Sequence, residues 1–501
     1  MSDFAGRGAT KRVMALRNDD LPRLFQPAIP WIAISVLFLV TVLAVIARAG
    51  APLRLLYPLL AVAVGLLLHL RYPLLYLSYN WWIWLMTPLV RRLADYYGGG
   101  YQEPSIVLLT PPVVSMIAVI TVTRSLPQLL TQSAAVPFVL CTASVGYATL
   151  IGLLQNDATG TIVTFLGWLP PLVSGTYLYM LWPHYPQIAR NLQRTMVWGV
   201  LVLGLYGVVQ YWLAPAWDTF WLRNSESFAF GTPEPLGIRV WSTLNSPQPF
   251  GVVMMAGLLL LFSRRSALSF GAASVGYLSF LLCSARAAWL GWMGGMVFFL
   301  PSLRSSLQIR LIASLMMMVL AVVPLTVIEP FSSAILPRLE SLSSPNEDIS
   351  FNARMDAYDQ LFGEALSEGV GNGLGFVIAK EGFGSNDSGM LSLLFSFGWI
   401  GTLPYVSGIA LILINALKNP HAKSDPFLSA SRAIVIGTLV QVGLNVVFTR
   451  MMGMVLWSFL GSLAAANQYY RHQHVPDLDA NHSGTTEPFT FHDSASTLRI
   501  R

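Results

Sequence analysis

Two guanidinium groups set among apolar residues, Arg239 in PLGIRVWSTLNSPQPFG and Arg286 in LLCSARAAWLGW, are the side chains of this chain best suited to chemistry. A guanidinium is planar, permanently charged and makes bidentate contacts to phosphate oxygens. Two of them on one face suit a diphosphate and call for no metal and no other cofactor. Arg239 precedes Asn245-Ser246-Pro247, which ends one segment and starts the next at a membrane surface, so Asn245 joins it as a candidate substrate contact. The alternative for Arg239 is a side chain that snorkels or fixes topology, and for Arg286 one that marks a tight loop tip. A charge near the hydrocarbon costs about 2.5–3.5 kcal/mol on insertion scales and persists with a partner or a task. The small neighbours Ser284, Ala285, Ala287 and Ala288 would let a bulky ligand approach Arg286.

Three further features lie between Glu329 and Asp387. Arg354 opens NARMDAYDQLFGEALSEG, where Met355, Tyr358, Leu361, Phe362, Ala365 and Leu366 recur at helical spacing. This predicts an amphipathic helix capped by Asn352 and stopped by Gly369, its apolar face lying on the membrane surface or covering the site. Arg354 is either a third phosphate contact or a salt-bridge partner of Asp356 or Glu340. The run Gly369-Val-Gly371-Asn-Gly373-Leu-Gly375 follows a helix instead of opening one after a strand, so it is read as a tight turn or a backbone nest against a ligand, not as a dinucleotide fingerprint. Asn386-Asp387-Ser388 precedes a long apolar run. Asn386 is a candidate substrate contact, and Asp387 is either a general base on a sugar hydroxyl, if burial raises its pKa, or a helix cap.

The elements that position these residues are membrane helices. The chain is 54% hydrophobic and only 11% charged, against about 25% charged in soluble proteins, and apolar runs of membrane-spanning length recur along it. Candidate spans fall at about 31–48, 55–70, 73–90, 105–123, 134–154, 161–182, 195–213, 247–263, 268–284, 287–301, 308–328, 388–417, 431–449 and 452–468, giving an all-α polytopic protein of about 12–14 helices. Residues 1–28 form a basic cytoplasmic arm, 29–470 the transmembrane domain, and 471–501 a polar cytoplasmic tail whose four histidines need no metal.

Counting from an inside N-terminus puts the basic segments around Arg190, Arg264, Arg304 and Lys418 on the cytoplasmic side, and 214–246 and 329–387 on the other. Ten of the 24 acidic residues fall in 329–387, against three basic ones, which marks a folded extramembrane loop. Arg91 and Arg92 run against this count. The alternative, an interfacial 73–90 with its Trp and Tyr residues at the membrane surface, would put every later loop in violation. The net charge of +6 sits in short clusters beside apolar runs, which fixes topology and excludes a nucleic-acid stripe. Cys141 and Cys283 fall within apolar runs and are read as packing residues.

Taken in order, Arg239 with LNSPQPFG, SARAAWLG, RMDAYDQLFGEALSEGVGNGLGF and NDSGMLSLLFSFGWIG resemble the O-antigen ligase and O-antigen polymerase superfamily of bacterial inner-membrane glycosyltransferases over about residues 195–460. The resemblance implies a GT-C-like fold with a large periplasmic loop and an active site facing the periplasm. It implies a metal-independent, inverting enzyme whose donor is an undecaprenyl-diphosphate-linked oligosaccharide held by Arg239 and Arg286. Ligases carry a His before the final long span where this chain has Asn386-Asp387-Ser388, which favours a polysaccharide polymerase, served by a chain-length regulator or export machinery, over a ligase. A transporter of lipid-linked sugars would show charged or broken spans near the midplane.

Overall fold

The computed structural model describes residues 28–473 apart from 226, 264–266, 303–307, 310, 311, 313–348, 381, 382, 385 and 386. Nearly all of the basic arm, of the tail and of the 308–328 span, and the first part of the acidic loop, therefore lie outside the described residues. Among the described residues seven helical segments are long and apolar enough to cross a bilayer, and the protein is an all-helical, multi-pass membrane protein. In chain order the helices are α1 (Ala28–Ile46), α2 (Gly50–Arg71), α3 (Pro73–Tyr97), α4 (Ile106–Arg124), α5 (Val136–Gln155), α6 (Ala158–Met180) and α7 (Tyr185–Leu213). After these come the short α8 (Ala216–Asn224), then α9 (Pro247–Leu261), α10 (Ala267–Leu282), α11 (Arg286–Ser302), α12 (Ile349–Ser367), α13 (Gly389–Leu417), α14 (Pro426–Leu439) and α15 (Arg450–Gln473). A two-residue hairpin, β1 (Ala379–Lys380) on β2 (Phe383–Gly384), precedes α13.

The centre of the bundle is α9, in which every residue from Phe250 to Leu261 is buried. A helix apolar on all sides is stable only when neighbours cover it all round, and here α7, α10, α11, α14 and α15 do so. Close approach depends on small residues, as expected where lipid gives no hydrophobic drive to helix association. Gly175 of α6 lies against Trp457 and Gly461 of α15, and Gly291 of α11 against Gly437 of α14. Cys141 and Cys283 are both buried and unbridged, and Cys141 packs on Gly408. By contrast α1 exposes Ile32, Phe38 and Ile46 on the periphery.

The segment 73–90 lies within α3, a continuous helix whose Tyr76, Tyr79, Trp81 and Trp84 are all buried, so its aromatics are core and not an interfacial belt. The expected span 431–449 is corrected. Its helix runs Pro426–Leu439, and the chain then proceeds as turns to Thr449. Hydropathy reports burial and not helicity, and Val440-Gln-Val-Gly-Leu-Asn-Val-Val-Phe-Thr449 is rich in weak helix formers. Irregular backbone at membrane depth is tolerated where protein satisfies it. Here the Val442 carbonyl accepts from Gly389 N at 2.8 Å and Asn445 N donates to the Gln441 carbonyl at 2.9 Å. The expected tail boundary also moves, because α15 stays helical to Gln473, with His472 stacked on Trp182.

The helix ends sort into two sets. At one end Asp425 accepts from Tyr185 and Tyr470 at 2.6 and 3.0 Å, Asn419 pairs with Asn467, and Gln193 with Ser263. At the other end Arg92 donates to the Leu244 carbonyl, Val240 N to Leu282 and Leu374 N to Ala148. This second end holds the candidate site.

Candidate functional site

Three segments build the site end: 214–246, the turn between α10 and α11, and the stretch from α12 to the start of α13. The first is locked down by a buried ion pair that the charge count treats as an anomaly. Arg92 Nε lies 3.1 Å from Asp218 Oδ1, and neither side chain is exposed. The guanidinium also donates to the Leu244 and Ser242 carbonyls at 2.8 and 2.6 Å. Asp218 further accepts from Tyr206 and Gln210, and Gln210 Oε1 accepts from Trp241 N and Ser242 N. Burial pushes the Asp218 carboxyl up, and the Arg92 charge holds it back. Arg91 is compensated in the same way by Asp95 at 2.7 Å and lies over the Tyr101 ring. Both arginines therefore sit at an end where the charge rule disfavours them because each has a carboxylate within the fold.

Arg239 leaves this locked segment half-buried and donates to Ala229 O at 2.7 Å and Ser284 O at 3.0 Å. Ser284 stands in a left-handed backbone conformation (φ 52), and two residues later Arg286 opens α11, also half-buried. The two arginines are thus brought to one turn, although part of the Arg239 donor capacity is spent on backbone carbonyls. The small neighbours of Arg286 have another purpose than ligand access. Ala285 and Ala288 are buried against Gly251 of α9, where a Cβ would meet them at 3.0 and 2.8 Å. Asn245 lies half-buried just before α9, its Oδ1 meeting no donor among the described residues.

On the other side, α12 begins at Ile349, so Asn352 lies inside the helix and is not its cap, and it ends at Ser367, two residues before Gly369. Four residues of its apolar face pack on protein, while Met355 and Leu366 stay exposed. Tyr358, Leu361, Phe362 and Ala365 pack with Leu391, Leu394 and Phe395 and cover the first turns of α13. The Arg354 backbone belongs to α12, and its side chain and Asn386 lie outside the described residues. Asp387 is half-buried immediately before α13, but the cap of that helix is Ser388, whose Oγ accepts from Leu391 N at 3.2 Å. The cap alternative for Asp387 is therefore corrected. Tyr358 ties the corner together, donating to Gly443 O at 2.9 Å and lying 2.5 Å from Ser388 Oγ.

The glycine run is likewise not a nest for a ligand. It is wedged among helices: a Cβ on Gly373 (φ 76) would collide with Gly152 of α5, and one on Gly371 with Gly398, the kink of α13. Asn372 N and Gly373 N donate to Phe395 O and Ser396 O, and Asn156 donates to Asn372 O and Leu374 O. The run holds α13 against the junction of α5 and α6.

Between the Arg286 side and the Asp387 side lies the irregular 440–449 segment. Gln441 packs against Gly291, five residues and about 7 Å into α11, while Val442 and Asn445 meet Gly389 at the start of α13. This segment thus runs between the helix that Arg286 opens and the helix start that follows Asp387 and Ser388. At its far end stands Arg450, exposed, with φ 51. Among the described residues, all six non-glycine residues with left-handed backbone (Arg48, Ala214, Leu236, Ser242, Ser284 and Arg450) fall at this end of the bundle. Such conformations cost about 1–3 kcal/mol each and cluster where function holds them. Arg450, like Arg239 and Arg286, is an arginine where the span count puts the outer face. The Tyr358 node leaves no sequence signal beyond its position in the helical stripe. Compared with known proteins, the chain matches no protein-family model and no curated protein.

Proposed function

We propose that the protein is a polysaccharide polymerase of the O-antigen polymerase and ligase type, joining undecaprenyl-diphosphate-linked repeat units at the outer face of a bacterial inner membrane. The observation that carries this reading is the Arg239 bond to Ser284, which sets two permanent cations around one turn. The opposite end carries Arg71, Arg124, Arg190, Arg194, Lys418 and Lys423, whereas Arg54, Arg91 and Arg92 at the site end are neutralised by Asp95 and Asp218, and on that balance of unpaired charge the positive-inside rule favours the opposite end as cytoplasmic. The site end then faces the periplasm. In the proposed reaction Arg286, with Arg239, binds the diphosphate and stabilises the charge that develops as it leaves. Asp387 accepts the proton of the acceptor hydroxyl as that oxygen attacks the anomeric carbon with inversion. Neither step requires a metal.

A transporter is the second reading, favoured by one observation: α14 stops at Leu439 and continues as unwound chain, the form of a broken transport helix. A single reconstitution separates the two. The purified protein in nanodiscs, given undecaprenyl-diphosphate-linked repeats, should yield ladders of lengthening glycan, and Arg286→Ala should slow their formation by about 10²–10³-fold. Transfer only when lipid A core is supplied would identify a ligase. Intact substrate in every mixture, with sugar crossing sealed liposomes, would overturn glycosyl transfer.

A further inference from the structure

Where α3, α6, α7 and α15 meet, the bundle encloses a cavity of about 10 Å³. Its polar lining is Asn80 of α3, Ser174 and Tyr177 of α6 and Ser458 of α15, each at most 4% exposed. Ser458 Oγ has no hydrogen-bond partner among the described residues. Ser174 Oγ accepts from Asn80 Nδ2 at 3.4 Å, and its own proton goes to no described acceptor. Tyr177 makes ring contacts with His69 and Tyr76, and its hydroxyl bonds to no described residue. The neighbouring groups are satisfied: Tyr76 donates to Val114 O at 2.7 Å, and Asn80 Oδ1 accepts from Ser115 Oγ at 2.9 Å. Ser174 lies six residues before the end of α6, about 9 Å inside the span, and Ser458 eight residues into α15. Three buried hydroxyls without acceptors therefore line one small space at membrane depth, where an unpaired polar group is costly.

We infer that this cavity binds one internal water molecule, which joins α15 to α3 and α6. The volume is at the lower bound for a single water, and a buried water typically makes about three hydrogen bonds to groups that lack other partners. Water has two lone pairs and two protons, so it accepts from two of the hydroxyls and donates to the third. A cation does not suit the lining, because no carboxylate is present and Asn80 Oδ1 is spent on Ser115. An apolar guest would leave all three hydroxyls unpaired. The water supplies a polar link between helices that lipid gives no hydrophobic drive to associate. This inference is independent of the glycosyl-transfer reading.

The experiment uses the full chain in nanodiscs and combines a high-resolution cryo-EM map with melts of Ser458→Ala, Tyr177→Phe and the double variant. The map should show a density peak at about 2.6–3.2 Å from Ser458 Oγ and the Tyr177 hydroxyl. Each single variant should lower Tm by about 1–3 °C, because each deletes a partner of the water. The double variant should lose less than the two losses added, because both hydroxyls bind the same molecule. A dry cavity predicts the opposite sign: deleting an unpaired buried hydroxyl raises Tm, and the two gains add. A map without the peak, a Tm that holds or rises in both single variants, or strictly additive losses overturns the proposal. A wild-type Tm raised by sodium and not by choline would put a cation in the cavity and overturn it as well.

Discussion

Replacing Arg92 by Met tests whether the buried pair holds the site together. The substitution keeps an unbranched apolar stem of similar length and strands the Asp218 carboxylate, which has no exposed surface. Breaking a buried ion pair by removing one partner costs about 3–5 kcal/mol at neutral pH. The Ser242 and Leu244 carbonyls also lose their guanidinium donor, at about 1–3 kcal/mol for each that finds no substitute. The expected loss is therefore on the order of 5 kcal/mol, measured by SDS titration in mixed micelles at pH 7. Adding Asp218→Leu removes the stranded charge and should restore most of the first contribution but not the second.

The pH dependence has a definite sign. Burial already raises the Asp218 carboxyl above its ordinary 3.8, and loss of Arg92 lets it climb further. A raised folded-state pKa means stability that is present at low pH and lost as pH rises from the unfolded value towards the folded one. Both proteins lose stability in parallel just above 3.8, so the deficit of Arg92→Met should widen only once pH passes the raised wild-type value of Asp218, where wild type levels off and the variant still falls, and then become constant. A variant within about 1 kcal/mol of wild type at pH 7, or a deficit independent of pH, would refute the account of the pair as a charge-compensated anchor.

Two other substitutions probe the packing around α13. Gly373→Ala puts a Cβ into the Gly152 backbone at a φ of 76, so α13 must shift from α5; Tm in detergent should fall by several degrees, and an unchanged melt would contradict the wedge. Tyr358→Phe removes the hydroxyl shared with Ser388 and Gly443 and should cost about 1–3 kcal/mol while lowering glycan polymerisation. Full polymerisation by a folded Tyr358→Phe would separate that corner from the chemistry.

Much of this architecture is written in the composition of the chain. The apolar runs mark the chain as multi-pass, since nearly every run among the described residues is a helix in the fold, and Arg239 and Arg286 are conspicuous because insertion penalises them wherever they fall. Hydropathy does not distinguish a helix from irregular chain that is buried equally well, so the end of α14 at Leu439 and the irregular 440–449 segment emerge only from contacts with Gly291 and Gly389. Charge compensation is also non-local. Arg92 reads as a topological error until Asp218, 126 residues away, is folded against it. The glycine run has the same lesson: its residue types demand close approach of something, but whether that is a ligand or the backbone of α5 and α13 depends on how distant segments pack. Local sequence determines which groups must avoid lipid, and tertiary structure decides with which partners they do so.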